Sequence, residues 1–128
     1  MKVIFKFTVG LSMVLFLLFH ASCKEEEVDN IAVLVEGNYV GYLIDEQDTT
    51  YGVNVQIERI ANDKVKVFAT TPELIFTSFS TKIFRNFESV ITSDINSGVS
   101  LAAELNESPI VMGFNKYDTG QEFRGSKQ

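Results

Sequence analysis

The sequence predicts an all-β domain, a small antiparallel barrel or sandwich of seven to eight strands. Three observations support this fold class. Apolar and polar residues alternate with a period of two over several short segments, as in half-buried strands. Clusters of Gly, Asn and Asp recur between these segments and predict tight turns. No long segment of helical period intervenes, so the strands are expected to pair with their neighbours in the chain.

The first 22 residues predict an export signal that is cleaved. Lys2 and Lys6 are followed by an apolar stretch from Phe7 to Phe19, which ends in the small residues Ala21 and Ser22. Thirteen residues form a helix of only about 20 Å, which is shorter than the ~30 Å hydrocarbon core of a bilayer. The stretch is therefore not expected to remain as a membrane-spanning anchor.

Cys23 is predicted to be the site of lipid attachment. Residues 20–23, His-Ala-Ser-Cys, resemble the bacterial lipobox, although His20 stands where an aliphatic residue is usual. Cleavage by an ordinary signal peptidase fits poorly, because Phe19 or His20 would occupy a position that requires a small residue. Two or three acyl chains on Cys23 would hold the protein to a bilayer almost permanently. A conventionally secreted protein and an uncleaved anchor are the alternatives.

Residues 24–27 bear on the location of the protein. The residue after Cys23 is Lys24, whereas an aspartate at this position would resemble an inner-membrane retention cue. An outer-membrane, lipid-anchored protein is therefore predicted. Lys24 and the three glutamates after it also resemble the surface-export tag of lipoproteins of the Bacteroidota, which would expose the domain at the cell surface. The alternative is that this run is only a solvated linker.

Charge and composition exclude several function classes. The chain has 17 acidic and 11 basic residues, and two of the basic ones lie in the leader. An acidic domain repels phosphate backbones, so no nucleic-acid partner is expected, and peripheral binding to anionic headgroups is also disfavoured. The single histidine, His20, lies in the leader, and the single cysteine is the predicted lipid site. No His- or Cys-based catalysis, disulfide or ordinary metal site is therefore predicted, and neither enzyme activity nor a cofactor is expected.

We divide the chain into the signal (1–22), an acidic tether containing lipidated Cys23 (23–35) and the β domain (36–128). Within the tether, residues 31–35 are apolar, and the folded domain must cover them. The strongest strand signal is the alternation of Val53, Val55 and Ile57, followed by that of Val65 and Val67. The intervening residues 61–63 predict a tight antiparallel hairpin.

The other predicted strands are shorter or less regular. Residues 94–98 and 118–120 are predicted turns. Residues 83–91 are ambiguous, because their apolar positions recur at intervals of three and four, and either a short helix or an irregular crossing is predicted. The additional strands are expected at Tyr39–Asp45, Leu74–Phe79, Val99–Leu105, Pro109–Phe114 and Gln121–Gly125.

The opening residues 37–41 and the closing residues 123–127 resemble those of the small lipocalin-like (calycin-like) lipoproteins of the Bacteroidota. Gly37 and Tyr39 match the G-x-W motif of the first lipocalin strand with Tyr in place of Trp, and Arg124 matches the arginine of the last strand. The resemblance implies that Tyr39 and Arg124 form a cation–π pair that closes the barrel. In the alternative, Tyr39 is a core residue and Arg124 a solvated one.

The resemblance also implies a small apolar ligand in the mouth of the barrel. The predicted lining consists of aromatic residues and one methionine: Phe68, Phe76, Phe79, Met112 and Phe114. The alternative function is a surface interaction module, an inhibitor or accessory subunit, that contacts a partner protein of the envelope without a ligand pocket. Asp48, Thr49 and Thr50 resemble the O-glycosylation pattern of the Bacteroidota, which makes Thr49 a candidate acceptor.

Overall fold

The computed structural model describes residues 30–128. The predicted signal peptide (1–22), Cys23 and residues 24–29 of the tether lie outside the described residues. No helix within 30–128 has the length and hydrophobicity to cross a bilayer.

Residues 30–128 form one short helix and eight strands. Helix α1 covers Ala32–Val35 and directly precedes the first strand. The strands are β1 Gly37–Asp45, β2 Asp48–Ala61, β3 Lys64–Thr71, β4 Phe79–Asn86, β5 Val90–Ser93, β6 Val99–Glu104, β7 Val111–Lys116 and β8 Glu122–Lys127.

Each strand pairs antiparallel with the next in the chain, and β8 pairs with β1 to close a barrel. Leu43 of β1 lies opposite Phe123 of β8 at this closure. Closure leaves no strand edge free for pairing with another chain. The expectation of an antiparallel barrel or sandwich is thus confirmed as a closed antiparallel barrel.

The seam between β1 and β8 requires glycine. A Cβ on Gly41 would overlap the carbonyl group of Arg124, and a Cβ on Gly125 would lie 2.6 Å from the Phe123 ring. The register of β1 against β2 also shifts at this point, between Gly41 and Tyr42. Small residues at this position therefore serve barrel closure.

The core follows from the alternation of the strands. In β6, Val99, Leu101 and Ala103 are buried and the residues between them are exposed. The same alternation places Val53, Val55 and Ile57 of β2 in the core, where the large side chains are less than 2 % exposed. The interior of the barrel is therefore occupied by its own side chains.

Most of the predicted strands are confirmed in position, including the β2–β3 hairpin, which turns at Asn62 and Asp63. The predicted strand Leu74–Phe79 is wrong, because residues 72–78 form a loop and only Phe79 belongs to a strand. Leu74 has a left-handed backbone (φ 60°), which an extended strand does not allow. Ile75 and Phe76 of this loop cover one end of the barrel and do not line a strand face.

Neither prediction for residues 83–91 is correct, since this segment is the β4–β5 hairpin. Ile83 and Ile91 both point inward, but from two different strands. Phe87 has a left-handed backbone (φ 62°) and begins the turn between them. The apolar residues recur at intervals of three and four because they belong to two short strands, each with a period of two, that are joined by a tight turn.

The packed domain begins at Ile31, before the predicted boundary at residue 36. Ile31, Ala32 and Val35 are buried in the core. The Ala32 amide donates to the carbonyl oxygen of Asn62 (2.9 Å), which ties α1 to the β2–β3 turn. The tether therefore does not extend to residue 35, because these apolar residues close one end of the barrel.

The two ends of the barrel are built differently. One end, called the loop end, carries the connections 46–47, 72–78, 94–98 and 117–121. The other, called the helix end, carries α1 and the connections 62–63, 87–89 and 105–110. The chain enters the described domain at the helix end.

Candidate functional site

Aromatic side chains fill the interior at the loop end. The Phe114 ring makes edge contacts with Phe76 (5.0 Å between centroids) and Phe79 (5.1 Å), and it stacks on Phe123 at 5.5 Å. Phe76 comes from the loop 72–78 and is buried, so the loop contributes directly to the core. Such ring pairs add about 0.5–1.5 kcal/mol each beyond their burial.

Lys116 holds the loop 72–78 over this aromatic cluster. Its side chain is only 4 % exposed, and its Nζ donates to the carbonyl oxygen of Thr77 at 2.8 Å. The same ammonium group lies 5.9 Å from the Phe76 centroid and 6.0 Å from that of Phe79. The negative ring faces partly replace the water that the buried cation has lost.

Gln121 forms the second polar attachment at the loop end. Its Nε2 donates to the carbonyl oxygen of Ile75 (2.8 Å) and to the carboxylate of Asp45 (3.2 Å), and its Oε1 accepts from the Thr119 hydroxyl. Gln121 is buried, so these hydrogen bonds are shielded from water. The side chain therefore joins three of the four connections at this end.

Three of the loops at this end present large apolar side chains to solvent. Leu74 is 89 % exposed, Ile95 is 89 % exposed and Tyr117 is 67 % exposed. Their loops are held together, because the Tyr117 amide donates to the carbonyl oxygen of Gly98 (3.2 Å) and Gln121 binds Ile75. We call Leu74, Ile95 and Tyr117 the apolar tips.

Acidic residues share the loop end with the apolar tips. The exposed carboxylates at the loop end are Asp45, Glu46, Asp48, Glu73 and Asp118. The basic residue nearest to them in the chain, Lys116, is buried below the loops. The loop end therefore presents exposed apolar side chains together with negative charge.

The predicted ligand-lining residues divide between the core and the outer surface, and Met112 and Phe114 also border a groove on the outside of the barrel. Phe76, Phe79, Met112 and Phe114 come together as predicted, but they pack against one another in the core. Phe68 lies on the outside of β3, because its neighbours Val67 and Ala69 face inward, and the Lys66 ammonium lies 5.7 Å from its ring centroid. Phe68 is therefore incorrectly assigned to the lining.

A shallow groove lies on the outer surface of β6, β7 and β8. It has a volume of about 360 Å³ and is open to solvent. Ala102, Val111 and Gly113 form its apolar floor, while Glu104 and Arg124 contribute charge. The groove is near the lower limit for small-molecule sites, which typically enclose about 300–1,000 Å³.

The structure does not bring Tyr39 and Arg124 together. Tyr39 points into the core, whereas Arg124 is exposed on the outer face and pairs with Glu122 at 3.5 Å. The register places Arg124 opposite Tyr42 and Tyr39 opposite Lys127. Because Phe123 faces inward, the next residue must face outward. The first and last strands do pair, but through their backbones.

Tyr39 instead connects β1 to the helix end. Its hydroxyl group donates to the carbonyl oxygen of Val35 at 2.7 Å, inside the core. Burial raises the pKa of Tyr39 to about 12, because the phenolate would lose its hydration. This hydrogen bond gives the carbonyl oxygen of the last residue of α1 a partner. The other end of the helix, at Ile31, has no side-chain cap.

The remaining site predictions concern modification and metals. Thr49 is exposed in β2, next to the β1–β2 turn, so its hydroxyl is accessible, and its glycosylation stays a prediction. Cys23 lies outside the described residues. Within residues 30–128 the side chains form no cluster of three or more potential metal ligands.

The sequence reasoning missed Lys116, Gln121 and the apolar tips. Lys116 could have been found, because it follows Met112 and Phe114 at intervals of two and must share their inward face. Nothing local indicated that Gln121 would reach Ile75, which is 46 residues away.

No protein-family model and no curated protein matches this chain. A solved structure of a redesigned β-barrel is similar over 77% of this chain and 96% of its own length. The sequence identity is 13% and the TM-score is 0.44. The assignment as a small closed antiparallel barrel therefore rests on the strand pairing of this chain itself.

Proposed function

We propose that this protein is a membrane-tethered extracytoplasmic lipoprotein whose loop end is an interaction surface for a partner protein. The observation that carries the proposal is the exposure of Leu74, Ile95 and Tyr117 on loops that hydrogen bonds hold together. Clustered exposed apolar side chains within a polar rim are typical of protein interaction sites.

The backbone at Leu74 supports this proposal. A left-handed conformation costs a leucine roughly 1–2 kcal/mol, and the exposed side chain recovers none of that cost through burial. A residue that is strained and solvent-exposed is better explained by contact with another molecule than by the stability of the barrel. Gly or Asn would suit the backbone better if stability alone mattered.

Charge specifies the partner. The carboxylates around the apolar tips favour a protein surface with an apolar centre and a rim of lysine or arginine. Opposite charges would accelerate the encounter and orient the two surfaces. The partner is therefore expected to bind more slowly at high salt.

The interior of the barrel argues against the small-ligand alternative. A ligand would have to displace the Phe76, Phe79 and Phe114 cluster and break the hydrogen bonds of Lys116 and Gln121 to the loop. The eight-stranded up-and-down barrel is the architecture of lipocalins, and in barrels of this size side chains can fill the interior. We propose that the likeness to lipocalin-like lipoproteins of the Bacteroidota is limited to the barrel fold and the lipid tether. Neither an internal ligand nor enzyme activity is proposed.

The proposed tether gives the domain an orientation. Residue 30 enters at the helix end, so a lipid on Cys23 in the outer membrane would place the helix end nearer to the bilayer than the loop end. The apolar tips would then be accessible to other envelope or surface proteins.

Native mass spectrometry of the full protein, extracted in mild detergent from its own host, tests the proposal. The expected result is a stoichiometric complex with a second protein that is lost in the variant Leu74→Asn, Ile95→Ser, Tyr117→Ser. The matched control is Ile60→Ser at the helix end, which also removes an exposed apolar side chain and should retain the complex.

Two outcomes would contradict the proposed function. A co-purifying small molecule in a partner-free protein would favour the ligand-binding alternative. A complex that survives the triple substitution would place the partner elsewhere. The mass of the N-terminal peptide reports acylation of Cys23 separately.

A further inference from the structure

The outer surface of β3 and β4 combines lysines and phenylalanines. Lys64 and Lys66 alternate with buried valines, and Lys82 alternates with buried Thr81 and Ile83, so the three ammonium groups share the outer face. Phe68 and Phe84 continue the same rows, and Phe87 lies at the β4–β5 turn. We call this surface the basic-aromatic face: Lys64, Lys66, Lys82, Phe68, Phe84 and Phe87.

Positive charge is concentrated on this side of the barrel. Residues 59–88 contain five Lys and Arg residues against three acidic ones, whereas the rest of residues 30–128 contains three against ten. Within the described residues, no carboxylate lies within ion-pair distance of Lys64, Lys66 or Lys82. The acidic character of the whole chain therefore conceals a basic face.

The arrangement of the lysines is unfavourable for the isolated domain. Lys64 and Lys82 are directly opposite each other in neighbouring strands, where like charges destabilise a sheet. Glu58 lies opposite Lys66, and Asp63 and Glu88 occupy the adjacent turns, so the carboxylates border the lysine row without separating Lys64 from Lys82. An anionic surface across the row would relieve this repulsion.

Phe87 has the same combination of features as Leu74, at the opposite end. It is 81 % exposed and has a left-handed backbone. Phe84, on the outer face of β4, is half exposed. Exposed phenylalanines next to lysines match the boundary between headgroups and acyl chains in a bilayer.

We infer that the basic-aromatic face rests on an anionic phospholipid surface, with Phe87 inserted at the headgroup boundary. Two features select a bilayer as the occupant. The lysines complement anionic headgroups, and the chain enters at the helix end from residues 23–29, which begin with the proposed lipid site Cys23. The inference deepens the proposed function, because it assigns the side of the domain that faces the membrane.

The test uses the full protein reconstituted into vesicles of phosphatidylcholine with phosphatidylglycerol. Because the chain contains no tryptophan, Phe87→Trp provides a single fluorescent reporter and Tyr117→Trp provides the matched control at the loop end. Lipids brominated near the carbonyl group are expected to quench the Phe87→Trp variant strongly and to leave the Tyr117→Trp variant near its unquenched level. Adding Lys64→Gln, Lys66→Gln and Lys82→Gln to Phe87→Trp should shift the equilibrium away from the membrane-bound orientation by about five-fold per lysine.

Three results would overturn the inference: equal quenching of both reporters, preferential quenching of Tyr117→Trp, or quenching that the lysine substitutions do not change. Quenching of Phe87→Trp by single-stranded oligonucleotide in place of lipid would also overturn it, since the face would then bind nucleic acid. Thermal unfolding of each variant checks that the barrel is intact. Failure of the tether is distinguished by the mass of the Cys23 peptide, which is measured for each variant and does not depend on which face of the barrel contacts the lipid.

Discussion

The two ends of the barrel are closed by different kinds of interaction. At the helix end, Ile31 and Val35 of a segment adjacent to β1 are buried, and one hydroxyl hydrogen bond from Tyr39 joins them to the strand. At the loop end Phe76 is also buried, but hydrogen bonds from Lys116 and Gln121, between residues far apart in the chain, fix the position of the loop 72–78.

The two kinds of interaction are expected to affect different properties, the stability of the barrel and the position of its loops. Apolar burial is non-directional and stabilises the fold in proportion to the area removed from water. Hydrogen bonds contribute less net free energy, but they fix the position of the groups they join. The helix end is therefore expected to determine whether the barrel folds, and the loop end to determine where the apolar tips lie.

The largest expected effect comes from removing the apolar contacts at the helix end. Replacing Ile31 and Val35 together with alanine should lower the free energy of unfolding by about 4 kcal/mol, through lost burial and the cavity that remains. Val33→Ala is the control on the same helix, because Val33 is 42 % exposed and lies outside the core, and it should change stability by less than about 0.5 kcal/mol. Denaturant unfolding measures both. A similar loss in both variants would show that α1 does not close the barrel.

A smaller and more local effect is expected at the loop end. Gln121→Ala removes the donor to Ile75 and Asp45 and should cost about 1–2 kcal/mol. Hydrogen exchange at the amides of residues 74–77 should accelerate more than elsewhere, because the loop loses an attachment while the strands keep theirs. Gln47→Ala, an exposed glutamine in the β1–β2 turn, is the control. Uniform acceleration over the whole barrel would contradict the positional role.

The smallest effect concerns Tyr39 and depends on pH. Tyr39→Phe removes the hydrogen bond to Val35 and should cost about 1 kcal/mol near neutral pH. The folded-state pKa of Tyr39 is about 12, above the ordinary tyrosine value of 10.0, so the unfolded chain releases its proton first. The stabilisation by neutral Tyr39 is therefore complete below pH 10 and is lost as the pH rises towards 12.

The measurement compares the unfolding free energies of the native protein and Tyr39→Phe from pH 8 to 12. Because lysines deprotonate in both proteins, only the difference between the two reports on Tyr39. That difference should narrow above pH 10 and change sign if the pKa effect exceeds the hydrogen bond. A constant difference would mean that Tyr39 ionises equally well in the folded state.

Individual residues show which parts of the fold and of the candidate site could be predicted from the sequence. The alternation of Val53, Val55 and Ile57 predicted both the strand and its buried face, because a strand covered on one side imposes a period of two. The same rule gave a wrong strand at residues 74–79. Ile75 and Phe76 are apolar because they pack against core residues of distant strands, and not because they alternate along a strand of their own. For the candidate site, Phe76, Phe79 and Phe114 were predicted to line a ligand pocket, whereas their rings pack against one another in the structure.

The sequence by itself determined the all-β class, the order of most strands and the inward or outward side of their residues, because these depend on local backbone geometry and on burial. Only the tertiary structure decided that the sheet closes, that Tyr39 and Arg124 lie on opposite faces, and that Lys116 and Gln121 hold one loop. Those outcomes depend on register and on contacts between distant residues. Such contacts form only when the whole barrel brings the two groups within hydrogen-bond distance, so no local pattern records them.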